Sequence, residues 1–315
     1  MSSSKGVRKL LSRTTTRRGA RKPSFNGKKR DAIWAVVFLA PALVAIFSLR
    51  IAPALQALWS SFFKALPGGL SVPFFAGGAN YRHLFGNPEF LETFLRTLVF
   101  NLVINPLQVA IALLLAILMT RKLALTGLWR TLLFIPATIP IVGSSIAWGA
   151  ILRQDGPMNA ILSVLGVTTQ PFLTSPSQAL ASIMLIATWI GVGYWMIFLI
   201  TGIENIPREY YEAASIDRAG PLRTFWSITL PLLKRQLLFV LVADTVANFV
   251  LFVPIQMLTN GGPENTTTLL MFDAYRTTYG YGNRNLGAAE VVILTLIMLI
   301  FVGLQFWLLR DRKDV

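Results

Sequence analysis

The sequence predicts an all-α integral membrane protein with six transmembrane helices. Hydrophobic residues make up 54% of the chain and charged residues only 14%, against about a quarter charged in an average water-soluble domain. Mean hydropathy is positive, at +0.59. The apolar residues also gather into six runs, each long enough to cross about 30 Å of hydrocarbon, a distance that takes about 20 residues of helix. Too little polar surface remains to cover a water-facing globule.

The predicted spans are 32–49, 98–119, 132–152, 180–203, 237–258 and 287–309. The first four carry no charge, and the last two hold one acid each, Asp244 and Glu290. The first run is short, and it is expected to continue past Arg50 toward Phe63 as a partly buried helix, with Trp59, Phe62 and Phe63 at the outer interface. Its long basic lead and the lack of a small-residue cleavage site read as an uncleaved anchor rather than a signal peptide. Pro41, Pro106, Pro136, Pro140 and Pro254 fall in or near spans, where neighbouring helices must satisfy the carbonyls they free. No internal repeat relates the two halves, which weighs against an inverted-repeat secondary transporter.

Charge placement sets the expected orientation. The chain holds 29 Lys and Arg against 14 Asp and Glu. All but Arg50, Lys64, Arg82, Arg96, Arg153, Arg276 and Arg284 lie in 1–31, 120–131, 204–236 and 310–315. By the positive-inside rule both termini are cytoplasmic. The same clustering between apolar runs argues against a nucleic-acid partner and for anionic membrane lipid. Segment 1–31 is expected to be a disordered basic tail, because it lacks apolar periodicity; 32–309 forms the membrane domain and 310–315 a short cytoplasmic tail. Cysteine is absent and His83 is the single histidine, so thiolate or histidine metal sites have too few ligands. His83 is expected to be solvated in its polar loop.

The most informative stretch is the inner connection 204–236. It reads as a short helix after Pro207, a turn at Gly220-Pro221 and a second helical stretch before Pro231. Tyr211, Ala214 and Ile216 are expected on one face of the first helix, with Glu209, Glu212 and Asp217 offered to solvent or a partner. Within the membrane, Asp244 and Asn248 stand four residues apart and share a helix face. A buried acid at that depth usually faces the bundle interior or a watery cavity. Asp244 and Asn248 can bind solute hydroxyls or simply bond another helix. Tyr194 and Trp195 can stack on a sugar ring or serve packing. Asn101, Asn105 and Gln108 read as inter-helix hydrogen bonders, and Glu290, near the outer end of the last span, as hydrated.

Loop 204–236 resembles the signature of binding-protein-dependent ABC import permeases: Glu-Ala-Ala, three residues, Gly, nine residues, Ile, any residue, Leu-Pro. Glu212-Ala213-Ala214 and Ile228-Thr229-Leu230-Pro231 fall at the matching separation. The sequence departs at the signature glycine, which is Arg218, with Gly220 two positions later. Thr97, Arg130 with Pro136 and Pro140, Gly156 with Asn159, Trp189, Ile206-Pro207 and the run from Leu258 to Pro263 extend the resemblance toward carbohydrate-type permeases. The resemblance implies a type I ABC importer fold, a second homologous permease, an external solute-binding protein and a sugar-like substrate. It further implies an ATPase dimer holding ATP and Mg, because no phosphate-binding Gly-x-x-x-x-Gly-Lys-Ser/Thr loop is present here and the chain needs no cofactor of its own. Glu212, Ala213, Ala214, Asp217, Arg218, Gly220, Ile228, Leu230 and Pro231 would then form the ATPase-coupling loop. Two other readings stay open: a permease of the same type for a non-sugar solute, and an ion-coupled secondary transporter, which would need a basic partner for Asp244.

Overall fold

Long apolar helices that satisfy their own backbone hydrogen bonds account for most of the molecule, as hydrocarbon demands. The computed structural model describes residues 25–65, 72–121 and 124–309. The chain divides into two units, 1–55 and 56–315, and all of the functional geometry lies in the second. In order, the helices are α1 (Phe25–Ile46), α2 (Ala52–Ser60), α3 (Ala79–Phe85), α4 (Pro88–Met119), α5 (Thr126–Thr138), α6 (Ile141–Ile151), α7 (Pro157–Val164) and α8 (Ala179–Glu204). They continue with α9 (Arg208–Ile216), α10 (Pro221–Thr224), α11 (Leu230–Leu232), α12 (Lys234–Phe249), α13 (Val253–Leu258), α14 (Leu270–Tyr275) and α15 (Arg284–Leu309). Among the described residues, five helical runs are long and apolar enough to cross a membrane, and a bent pair makes a sixth.

Four expectations need correction. The first helix starts at Phe25, so residues 25–31 of the segment expected as disordered tail are helical; residues 1–24 and 310–315 lie outside the described residues. The run Trp34–Ser60 continues past Arg50 as expected, but through a π turn, Phe47–Ile51, before α2 rather than as one regular helix. A two-stranded antiparallel ladder, β1 (Phe63–Lys64) with β2 (Phe74–Phe75), interrupts the all-α pattern. The third span is not one helix: α5 and α6 meet at a bend of 100°. Its cause is local. A residue preceding proline is driven out of the helical region by the ring, and Ile139 ahead of Pro140 is extended at φ −80°, ψ 134°. The bend sends α5 against α8 and α6 against α13.

The core is built where α4, α8 and α12 cross. Ala112, Ala116, Val192, Trp195, Met196, Leu199, Leu233 and Val240 form one buried cluster. Small residues let these backbones approach without a hydrophobic driving force between helices. A stripe of Thr93, Thr97, Asn101, Asn105 and Gln108 along α4 is buried and ties the helices together. The Thr97 hydroxyl accepts from the Leu270 N–H at 2.9 Å and donates to the Thr93 carbonyl. Several positions that carried the family resemblance prove to be such tie points. Arg130 donates to the Met119 carbonyl at the C-terminal end of α4 and pairs with Glu204 at 2.7 Å. Asn159 bonds the Arg153 carbonyl and both backbone groups of Gln170. Gly261 sits at φ +87°, where an added Cβ would lie 2.6 Å from the Thr268 hydroxyl.

Candidate coupling loop and solute cavity

The loop between α8 and α12 folds as its sequence predicts, a helix, a turn and a second helical stretch. Helix α9 ends in a Schellman motif: the Ala219 N–H returns to the Ala214 carbonyl at 2.9 Å and the Arg218 N–H to the Ser215 carbonyl at 3.1 Å. That motif needs a left-handed residue where glycine is usual. Arg218 occupies it at φ +52°. The turn that the missing glycine put in question is therefore kept, by a residue that strains to make it. Gly220, expected to shape the turn, has φ −68° and ψ 165°, a conformation open to any residue. Left-handed backbone costs an L-residue about 1–2 kcal/mol, and glycine returns about 0.5–1 kcal/mol of that as unfolded-chain freedom. Arg218→Gly should thus steady the turn by about 0.5–1 kcal/mol, read as slower amide hydrogen exchange across 211–219. Exchange that is unchanged or faster would show that Arg218 is not strained.

The second half of the loop braces the first. Pro231 has no N–H to give, and the chain before it runs as a π turn, Phe225–Thr229, closed by the Leu230 N–H on the Phe225 carbonyl. The Tyr211 hydroxyl shares a 3.2 Å hydrogen bond with the Thr229 hydroxyl. Ile228 and Leu230 are half-buried, while Pro231 is exposed. Glu209, Glu212, Ala213, Asp217, Arg218 and Gly220 are all exposed. Ala214 is not; it is buried against its own chain and is unavailable for partner packing. Ile216 leaves the face of Tyr211 and Ala214 and is 83% exposed, because five residues at about 100° each place it about 140° around the helix. Leu222 and Trp226, at 76% and 64% exposure, escaped the sequence reading. With Ile216 they add apolar surface to the charged rim, a feature legible only as hydrophobic residues without a partner.

All four residues singled out for the solute path line one cavity of about 360 Å³. Tyr194 and Trp195 come from α8, Asp244 and Asn248 from α12, Gln108 from α4, and Ala137 and Ile141 from the two sides of the α5–α6 bend. The Asn248 amide donates to Asn105 at 2.8 Å and to Gln108 at 3.0 Å, as the inter-helix reading of α4 expected. Gln108 donates in turn to the Thr188 hydroxyl at 3.4 Å. Asp244 is 1% exposed and lines the cavity beside Trp195 and Asn248, and one of its carboxylate oxygens is buried without a partner. The Tyr194 and Trp195 rings pack edge to face at 4.9 Å, with Tyr194 the more open of the two. No Lys, Arg or His is among the lining residues, so Asp244 lacks the basic partner a proton relay would use.

Glu290, expected to be hydrated, is 2% exposed. It lies against α14 and its following π turn, and accepts from the Thr277 hydroxyl at 3.0 Å. His83 is exposed, as expected. Among the described residues, no group of acids or histidines is placed to hold a metal ion.

Both the sequence and the fold have counterparts among known proteins. The lactose transport system permease protein LacF of Rhizobium radiobacter is 32% identical over 88% of this chain and 94% of its own length. The sn-glycerol-3-phosphate transport system permease protein UgpA of Pectobacterium atrosepticum is 33% identical over 86% and 92%. The trehalose/maltose transport system permease protein MalF of Thermococcus litoralis is 30% identical over 91% and 97%. One chain of a crystallised bacterial alginate ABC transporter, solved with an alginate pentasaccharide-bound periplasmic protein, shares the fold with a TM-score of 0.79 at 19% identity, over 93% of this chain and 99% of that one. Residues 69–314 match the profile of binding-protein-dependent transport system inner membrane components, and the chain belongs to that family.

Proposed function

We propose that the chain is one permease subunit of an ATP-binding-cassette importer for a sugar-like solute, with both termini in the cytoplasm. The observation that carries the solute class is the cavity: a buried carboxylate oxygen without a donor stands beside amides and an aromatic pair. Hydroxyl groups supply the missing donors, and the aromatic faces suit the apolar side of a sugar ring. Relatives named for lactose, sn-glycerol-3-phosphate and trehalose/maltose transport support the same class. The absence of any basic lining residue disfavours the ion-coupled alternative.

Energy enters from outside the chain. An ATPase dimer with ATP and Mg would seat the exposed edge of α9, with Glu212 as the charged contact and Ala213 as the close one, and with Asp217, Arg218 and Gly220 at its end. Ile228, Leu230 and Pro231 stiffen the mount from behind, so that displacement of α9 is passed to α8 and α12 as a rigid body. A second homologous permease would complete the pathway, and an external solute-binding protein would deliver the sugar.

Uptake by the reconstituted importer across a panel of sugars tests this reading, with Asp244→Asn as the decisive variant. Loss of a hydrogen bond to a charged group costs about 1.5–3 kcal/mol, so transport of the cognate sugar should fall about tenfold or more. The apparent affinity of the solute-binding protein for that sugar should not move. Unchanged uptake would remove Asp244 from the path.

A further inference from the structure

A second cavity, of about 290 Å³, lies between α3, the N-terminal turn of α4, the α14 region and the first turns of α15. It is at the far end of α4 from the coupling loop, since α4 begins at Pro88 beside it and ends at Met119, where Arg130 and Glu204 meet. Glu89, Asp273 and Glu290 line it against a single guanidinium, Arg276. Arg276 is spread thin: it pairs with Asp273 at 2.9 Å, lies 4.0 Å from Glu89 and donates to Asn265 at 3.1 Å. Arg96 on α4 also attracts Asp273, but it stands beside Glu92. Acids therefore outnumber cations. Burial pushes the Asp273 carboxyl above its usual range even with Arg276 and Arg96 pulling the other way.

Glu290 is the telling group. One of its oxygens is held by Thr277, and the other is buried without a donor. A metal ion is a poor filler, because no three acids or histidines among the described residues are placed to hold one. The walls are amphipathic: Leu84, Phe90 and Leu286 line the cavity with the acids, and Glu89 stands at an exposed edge, its side chain 61% open. A cavity that combines apolar wall residues with a buried, unpaired carboxylate oxygen fits a long side chain with an alkyl stem and a cationic head.

We propose that this cavity receives a lysine or arginine side chain of the external solute-binding protein, with Glu290 as its buried counter-ion and Glu89 as its steering charge. The inference rests on the importer reading, which puts this end of the bundle outside. It gives the docking protein a definite foothold: its cation enters past Glu89 and brings the donor that the second Glu290 oxygen lacks. Truncating one partner of a buried charge pair raises the dissociation rate, whereas removing a rim charge lowers the association rate and flattens the salt dependence.

The test is binding of the solute-loaded protein that supports uptake to the intact importer in nanodiscs, measured at several salt concentrations. Glu290→Gln keeps the shape and the Thr277 bond, and should weaken binding about tenfold or more through the dissociation rate. Glu89→Gln should slow association and reduce the salt slope. Glu290→Gln with wild-type affinity would overturn the proposal while leaving the importer reading intact. Failure of the wild-type importer to bind any such protein would overturn both. Should Glu290→Gln not assemble, Glu89→Lys at the exposed rim decides: association slowed at low salt supports the site, and an unchanged rate sinks it.

Discussion

Ala213→Trp is expected to abolish ATP-driven uptake while leaving the subunit folded in the membrane. Ala213 is exposed on α9, and a substitution on open surface typically changes stability by no more than about 0.5 kcal/mol. The chain itself has room for an indole there. The proposed groove on an ATPase seated against Ala213 would not, because well-packed interfaces have the density of protein interiors. Uptake into proteoliposomes should therefore fall to background, with ATP hydrolysis either lost or no longer stimulated by the solute-binding protein. Ala214→Trp makes the contrast. Ala214 is buried at 6% exposure within its own chain, so its variant should fail by overpacking, at about 1–3 kcal/mol, and be seen as lost expression or melting. Ala213→Trp with wild-type uptake would mean that the exposed edge of α9 is not where force enters.

Much of this architecture is written in composition and spacing, and the failures share a cause. Run length found the long helices because hydrocarbon thickness imposes a length. It could not find the 100° bend in the third span, because hydropathy is blind to direction. The informative signal was the Ile139-Pro140 step, and Pro106 and Pro136 sit inside continuous helices, so proline alone does not mark the break. Glu290 was misread for a related reason: position near a span's end suggested water, whereas the α14 region folds back to cover it. Ile216 left the face it was expected to share with Tyr211 and Ala214 because a nine-residue helix has too few turns for pattern to fix its buried face. Asp244 and Asn248 were legible because polar groups are costly at membrane depth, and Tyr194 and Trp195 as adjacent aromatics with large contact faces. Their convergence on one cavity, with Gln108 closing it, required the crossing of α4, α8 and α12. Arg218 is the reverse case. The motif marked where a glycine belonged, and the backbone kept the left-handed turn without one.

The crossing of α5 and α8 should prove the least tolerant point in the molecule. Gly193 faces the α5 backbone so closely that an added Cβ would overlap the Leu133 carbonyl oxygen and come within 2.8 Å of its carbon and 3.2 Å of Phe134 Cα. These are main-chain atoms of a helix, which cannot swing aside as a side chain can. Gly193→Ala must push α5 away from α8, and α5 leads into the bend whose Ala137 and Ile141 wall the cavity that Asp244 lines. Overpacking costs about 1–3 kcal/mol and more where backbone must move, which corresponds to a fall in melting temperature of about 2–12 °C. Gly191→Ala, two residues away, is the matched control. Its Cβ would meet only side-chain atoms, Trp195 Nε1 at 3.5 Å and Gln108 Oε1 at 3.7 Å, both at ordinary contact distance. That variant should melt near wild type and, by adding a methyl at the cavity wall, alter solute affinity instead. The pair separates two meanings of glycine in one helix: at 193 it permits the helices to touch, and at 191 it leaves the cavity open. Equal melting temperatures for the two alanine variants would refute the close approach and, with it, the placement of the bend beside the cavity.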